Sequence, residues 1–541
     1  MRSGISGRIA VIACLALTTA SAQPPDDTPD SAIYTRIRDE GTARSRVMDY
    51  ASELTDEIGP RLTGSPNLDR ATNWAIRRLR DAGASNVVRE SWGEFGMGWR
   101  QRNVWVRLVA PSEATVIAAA APWSPATRGT VAGAVVPVTL GDDTAFDRYR
   151  GKLRDRIVLL GRAPSMPVAP PLDKPLFERL DEAGLARLAQ PPEPAEDPQI
   201  IEGAFAGGEF AERIGRFLAD EGVRAVMVPS GNNPRGGASG GTIYADWNYS
   251  FGFYAYLKSR AMRVPLVIVA VEDYLRMTRL LDRQVTVRVE MNVDVEITGD
   301  RVEGANVLAD LPGSDSQRGE ETVMMTAHLD SWASGTGATD DGAGVVVAIE
   351  ALRILKALGI QPARTIRIAL WTGEEQGLLG SLAYVKRHVA DIPRAATPEQ
   401  LRVPEGMRRT IGPAVPKGDH ARLSAVYNLD MGSGRIRAVA VGGNAALVPI
   451  FQQWIAPLRD LGLGVVTMRP YCPGDCRPFA QAGIPTPGFI QDPLEYDTRT
   501  HHTNSDTYER LVPDDLRQAA VVTATLLYNT AMRPGMLPRG K

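Results

Sequence analysis

The chain has five histidines, and one of them stands among residues that could do chemistry. His328 closes an apolar run, Val323 to Ala327, and Asp330 follows two residues on. Twelve positions after the histidine comes the pair Asp340-Asp341, then Gly342, Gly344 and a periodic stretch from Val345 to Leu358 that reads as a helix. A second apolar run, Ile366 to Trp371, leads through Gly373 to Glu374-Glu375. A third, in SAVYNLD, delivers Asp430. An imidazole gathered with carboxylates at strand ends is the donor set that borderline-hard divalent cations require. Alone, His328 reads equally well as a hydrogen-bonded core histidine. With Asp330, Asp340, Glu375 and Asp430 at neighbouring strand ends, half of a two-metal hydrolytic centre is the better reading. His388, among polar neighbours on a helix, and His420, in a Pro-rich connection, read as solvent-exposed.

Positioning these residues requires strands that end on one side. Strand-like runs alternate with helical patterns through the second half of the chain, which predicts an α/β fold with a mostly parallel, doubly wound sheet and ligand sites beyond the carboxyl ends of its strands. Residues 31–90 read as mostly helical, with amphipathic stretches Ala43 to Ile58 and Ala71 to Ala82 joined by the loop Gly59 to Ser65; Asn86 to Pro111 reads as sheet. Between about Thr115 and Thr298 the texture changes to valine-rich strands at short spacing, with a Pro-rich stretch from Ala163 to Pro198 and a helix from Phe210 to Glu221. This predicts a β-rich insert with its own core, so the catalytic domain would comprise residues 23–114 and 299–541 around an insert at 115–298. After Glu375 a helix runs to about Val389, and the long connection Asp391 to His420 reads as a surface excursion or lid. A helix (Leu447 to Leu461), two short strands (VVTMRP and GIPTPGFI) and a last helix (Asp514 to Thr530) complete the chain.

The bulk properties narrow the function. At 541 residues the chain exceeds one ordinary core. Sixty-one basic residues balance 63 acidic ones, which argues against nucleic acid or a polybasic membrane surface as partner. Arg2 and Arg8, an apolar core from Ile9 to about Thr18 and Ala20-Ser21-Ala22 form a cleavable secretory signal, residues 1–22, with cleavage after Ala22. No other stretch is long and apolar enough to span a bilayer, so the mature protein is expected to be secreted or periplasmic without stable membrane insertion. Beyond Cys14, Cys472 and Cys476 remain. In an exported chain such a pair reads as a disulfide closing a tight loop; a pair of thiolate metal ligands is the rival reading.

Several motifs together resemble the M28 family of metallopeptidases, zinc aminopeptidases and their carboxypeptidase relatives. They are HLD (His328 to Asp330), TDDGAG (Thr339 to Gly344), GEEQGLLGS (Gly373 to Ser381), NLDMG around Asp430 and HHTNSD (His501 to Asp506). HLDSW and LWTGEEQG are most similar to the plasma glutamate carboxypeptidase-like branch, and the insert resembles the protease-associated (PA) domain that several members carry. The resemblance implies two zinc ions per subunit. His328 and Asp430 would hold one, Glu375 and His502 the other, and Asp340 would bridge both, followed by a cis peptide. His502 is preferred to His501 because it stands four residues before Asp506, as the family's ligand does. Asp330 would accept a hydrogen bond from the His328 imidazole and orient it. Glu374, beside a ligand but turned the other way, would act as general base towards the water shared by the metals and then as acid towards the leaving amine.

The expected activity is that of an exported two-zinc exopeptidase, an aminopeptidase or dipeptidase acting on dipeptides or small N-terminally free peptides, with recognition of the amino or the carboxyl end left open. A glutaminyl-cyclase-like acyl transferase fits less well, because those relatives use one zinc and would not need His328 and Asp430 together. A peptidase-like binding protein without catalysis is opposed by the full set of ligands and base. Asp475 is either a pocket residue or a turn aspartate, and Tyr471, Arg477 and Phe479 are candidates for shaping specificity. The aromatic stretch Tyr244 to Tyr256 either overhangs the site, packs the insert or makes a subunit contact, so a homodimer stays open.

Overall fold

The computed structural model describes residues 27–142, 144–161, 177–190, 208–231, 240–244 and 254–540. The secretory signal read at residues 1–22 and most of the Pro-rich stretch 163–198 lie outside them.

At the centre is the strand Thr322–His328, flanked in parallel by Thr365–Trp371 and Leu423–Asn428. Beyond the latter come Gly488–Gln491, parallel, then Ile436–Ala440, antiparallel, and Val465–Thr467 at the edge. On the other side Arg288–Leu311 runs antiparallel to Thr365–Trp371. The central strands are largely apolar runs because helices cover both faces, and the one arginine among them, Arg367, is half-buried and pairs with Asp310 at 2.7 Å. Val323, Met325 and Ala327 point into the core shared with the helices Ala343–Ala357 and Pro513–Met532. Met324, Ala369 and Trp371 point to the opposite face, where Tyr384 and Phe479 pack against them. Phe479 is therefore a core residue rather than a specificity element.

The insert is an α/β layer of its own. Strands Val131–Val138, Ile157–Leu160, Ala225–Pro229 and Leu266–Val269 run parallel in that order, with Ala118–Ala120 antiparallel at the edge. Ile214, Phe217 and Leu218 of the helix Gly208–Asp220 pack on one face of this sheet, and Tyr274 and Met277 of Val271–Asp282 on the other.

Insert and catalytic region are joined by a two-stranded ribbon. Ser85–Ala110 pairs with Arg288–Leu311 from Ser85 opposite Asp310 to Ala110 opposite Arg288, bending at bulges near Gly93, Gly96 and Gly98. The boundary expected at 298/299 falls inside this continuous strand, because one end of it pairs with Thr365–Trp371 and the other with Val131–Val138.

Three other elements differ from the sequence expectation. Ile436–Ala440 is a strand that the pattern did not reveal, since Arg437 interrupts its apolar run; the guanidinium folds onto buried Asp492 at 3.0 Å. The helix expected over Leu447 to Leu461 is α-helical only over Val448–Ile455 and tightens to 3₁₀ over Ala456–Leu461, where Pro457 lacks the amide hydrogen an α-turn needs. The stretch Ala43 to Ile58 is interrupted after Ala43 and resumes as Val47–Ser52, ending in a π-turn over Glu53–Ile58.

Candidate metal centre

Parallel register brings the chemistry to one sheet edge. Trp371 lies opposite His328, and Asn428 opposite Thr326, so the segments leaving these three strands emerge side by side. They carry His328 and Asp330, Glu374 and Glu375, and Asp430. Asp340 arrives on the turn entering the helix Ala343–Ala357, across the cis peptide Asp340–Asp341, and His502 on the loop after Gly488–Gln491.

Two histidine–carboxylate groups result, and they share one residue. His328 Nε2 lies 3.2 Å from Asp340 Oδ1 and 3.3 Å from Asp430 Oδ1. His502 Nε2 lies 3.4 Å from Asp340 Oδ2 and 3.0 Å from Glu375 Oε2. The two oxygens of Asp340 therefore face different imidazoles. His501 is more remote, with Nε2 4.0 Å from Asp340 Oδ2, and its ring lies against Tyr496. His502 adopts a left-handed φ of 59°, a conformation that costs a non-glycine residue about 1–3 kcal/mol and that surrounding structure must enforce.

The acids are crowded. Burial raises Asp430 and the charge of Asp340 adds to it; burial likewise pushes Glu375 up to about 7 and Glu374 well above the usual carboxylate range. Burial alone would raise Asp340 as well, but the hydrogen bond from His328 and the charges of His502 and His328 hold it low. Burial disfavours the cationic form of His328, yet the surrounding carboxylates, Asp430 first, keep its affinity for a proton high. Among the described residues, Asp340 Oδ2 and Glu375 Oε1 are buried without a hydrogen-bond partner. Imidazoles, clustered anions and orphaned buried oxygens together fit divalent cations, which would compensate charge that protein dipoles leave unpaired.

The supporting contacts depart from expectation at Asp330. The His328 Nδ1–H donates to the backbone carbonyl of Asp330 at 3.0 Å, while the Asp330 carboxylate stands 3.7 Å away. That carboxylate instead accepts from Thr63 Oγ1 at 2.8 Å and from the amides of Glu374 at 3.3 Å and Glu375 at 3.4 Å. It anchors the turn carrying the two glutamates, and the main chain orients the imidazole. Asp506 accepts from the amides of Thr339 at 2.6 Å and Asp340 at 3.1 Å, which fixes the backbone beneath the shared aspartate. Asp341 accepts from the amides of His328 and Gly344 and so holds strand end and helix start together.

Sequence reasoning passed over three residues here. Arg61, fully buried in what read as a plain loop, donates to the carbonyls of Leu329, Thr336 and Gly337 and puts a cation beneath the acids. Its Gly-Pro-Arg-Leu-Thr-Gly context offered no periodicity that would mark it. Tyr496 is buried, and the acids around it raise its phenol beyond the effect of burial itself. Gly474 lies in the cysteine loop, which the Cys472–Cys476 disulfide closes; at φ +62° a side-chain carbon there would stand 2.1 Å from Asp430 Oδ2.

Asp475 lies in the 3₁₀ turn Gly474–Cys476 of the same loop, where it is fully buried and accepts from Ser381 Oγ. Tyr244 of the insert reaches the centre, its ring 6.4 Å from that of His502, whereas Tyr256 packs on Phe95. Residues 245–253 of that aromatic stretch lie outside the described ones. His388 and His420 are remote from the centre but not free in solvent as expected. His388 Nε2 is 2.7 Å from Glu90, and His420 bonds the Ala482 carbonyl, because the excursion folds back on the domain.

Known proteins resemble this chain in sequence and in fold. Residues 306–527 match the family model described as peptidase family M28, a segment that contains every residue of the two histidine–carboxylate groups. Carboxypeptidase Q of Pongo abelii is 30% identical over 277 residues, 51% of this chain and 52% of that protein, so the chain spans about half the length of the curated relatives it matches in this way. The bovine (Bos taurus) carboxypeptidase Q aligns more fully, 25% identical over 92% of this chain and 88% of its own length. In fold, the peptidase M28 precursor of Shewanella amazonensis SB2B superimposes with a TM-score of 0.63 at 23% identity, covering 94% of this chain and 98% of that one. Sequence motifs, sheet-edge geometry and these likenesses converge on peptidase family M28, which residues 306–527 of the chain resemble.

Proposed function

We propose that this protein is an exported two-zinc exopeptidase that hydrolyses short peptides. The observation that carries the reading is the pair of histidine–carboxylate groups joined through Asp340. His328 and Asp430 would hold one zinc, Glu375 and His502 the other, and Asp340 both. When bound, the ions supply Lewis acidity and make a water acidic enough to react near neutral pH.

The chain's own residues do the rest. Glu374, half-buried beside Glu375, takes the proton of the attacking water and delivers it to the leaving amine as the carbon–nitrogen bond breaks. Asp330 holds the turn that presents it. Arg61 and Asp506 keep the loop carrying Asp340 in place, so that little reorganisation is needed as charge develops. The disulfide-closed loop and Tyr244 of the insert border the centre and restrict it to slender ends of chains. The insert is a PA-like module on this reading, and the disulfide is consistent with an oxidising compartment outside the cytoplasm. Among the described residues no helix is long and apolar enough to cross a membrane.

The test is product analysis with dipeptides and tripeptides offered free, N-acetylated and C-amidated, to chelator-stripped and zinc-loaded protein. Zinc-dependent release of single residues is expected. Loss of cleavage on N-acetylation alone would make the enzyme an aminopeptidase or dipeptidase, and loss on amidation alone a carboxypeptidase. Zinc binding without cleavage of any peptide would refute the reading and leave a binding protein.

A further inference from the structure

Directly after the glutamate pair stands Gln376, in the turn that Gly377 and Leu378 close with hydrogen bonds to the Glu374 carbonyl at 2.7 and 2.9 Å. Its side chain is fully buried, and among the described residues neither its amide nitrogen nor its amide oxygen has a hydrogen-bond partner. Burying a primary amide with both ends unsatisfied is destabilising, and a protein retains such a group where a ligand completes it.

Gln376 lies at the floor of a groove of about 490 Å³. One wall comes from the insert, with Tyr254 and Tyr256. The other comes from the excursion over residues 398–408, with Leu401 and Pro404, and Leu379 adjoins the floor. The excursion is seated on the glutamine's own turn: a side-chain carbon on Gly406 would stand 2.6 Å from the Gly377 carbonyl. Tyr254 ties the walls together by donating to the Arg402 carbonyl at 2.9 Å. The cations bordering the groove are engaged. Arg260 pairs with Glu212 at 2.7 Å, Arg402 approaches Glu209 at 3.7 Å, and Arg408 donates to the Val403 carbonyl at 2.8 Å. Leu401, in contrast, leaves 55% of its surface exposed.

We infer that this groove is a substrate subsite in which Gln376 reads one main-chain amide of a peptide beyond the bond being cut, while the apolar walls take the adjoining side chain. An amide with a free donor and a free acceptor matches a peptide unit, which offers one of each. Cations already engaged within the chain and apolar walls suit the interior of a peptide rather than a charged terminus. The inference rests on the exopeptidase reading and sharpens its substrate class: peptides with at least one amide besides the scissile one, and an apolar residue flanking it.

The experiment compares kcat and KM for dileucine and trileucine in wild-type zinc-loaded enzyme, Gln376→Leu and Leu401→Asp. Gln376→Leu keeps the shape and removes both polar atoms; Leu401→Asp changes an exposed wall position that folding tolerates. Wild-type enzyme should favour trileucine, and in Gln376→Leu the trileucine-to-dileucine ratio of kcat/KM should fall about tenfold, mainly through KM, as expected when a hydrogen-bonded ligand amide loses its partner. Leu401→Asp should lower the same ratio while an otherwise equal peptide with glycine in place of the extra leucine responds less. Ratios unchanged within about twofold in both variants, in an enzyme that cleaves dileucine, would overturn the subsite and leave the peptidase reading standing. Failure of wild-type protein to cleave either peptide would overturn both.

Discussion

At the scale of single residues, the centre divides its labour between groups that would touch metal and groups that hold them there. Among the described residues Glu374 is the candidate for proton transfer, because Glu375 pairs with an imidazole, Asp330 and Asp341 with backbone amides and Asp475 with the Ser381 hydroxyl. Glu374→Gln should therefore lower kcat by about 10²–10⁴-fold, the usual contribution of a general base, while zinc content stays that of the wild type. Metal analysis beside steady-state kinetics checks this; equal loss of zinc and activity would show the glutamate to be a ligand instead. Asp330 makes contacts other than the one its spacing suggested. Its position two residues after His328 suggested an imidazole partner, yet its carboxylate binds Thr63 and the turn of Glu374 and Glu375, and its carbonyl serves the imidazole.

At the scale of elements, the disulfide-closed loop matters most. Its tip, Gly474, comes so close to Asp430 and Glu374 that only a residue without a side chain fits, and its φ of +62° excludes most others on conformational grounds. Gly474→Ala should destabilise the protein by about 1–3 kcal/mol through backbone strain and displace Asp430, weakening the zinc it would share with His328 more than the other. Thermal melting and zinc titration of the variant test this, with unchanged affinity at both sites as the contrary result. The strand ends were readable because parallel strands buried on both faces need continuous apolar runs. Ile436–Ala440 was not, because it is only five residues long and Arg437, which pairs with Asp492, leaves no apolar stretch longer than three within it; Thr365–Trp371 also carries an arginine but keeps four apolar residues after it.

At the scale of the whole molecule, the centre joins segments that are remote in sequence: the loop at Arg61, the turns after three strands and the loop at His502 all meet there. A ligand that binds this folded arrangement and not the unfolded chain stabilises it by mass action. Removal of zinc by a chelator should lower the melting temperature by several degrees, about 2–4 °C for each kcal/mol in a large domain, and added zinc should restore it. A melting temperature indifferent to zinc would contradict a centre that ties these segments together. The long ribbon Ser85–Ala110 with Arg288–Leu311 carries the insert to the rim of the same site, where Tyr244 and Tyr254 meet catalytic-region residues.

By itself the sequence determined the donor types and their spacing. His328 with Asp330, the Asp340-Asp341 pair, Glu374-Glu375, Asp430 and His502 are legible because each closes or follows an apolar strand or sits in a short motif. Alternation of strands and helices likewise determined that these ends would share an edge. Only the tertiary structure decided which groups support them. Arg61 and Thr63 act on residues some 270 positions away, and no local pattern records such a contact. The continuity of insert and catalytic region was also decided in three dimensions, since one strand pairs with partners in both. The unsatisfied amide of Gln376 belongs to this second class: in sequence it is one polar letter after two acids, and only the folded structure reveals that no described residue completes it.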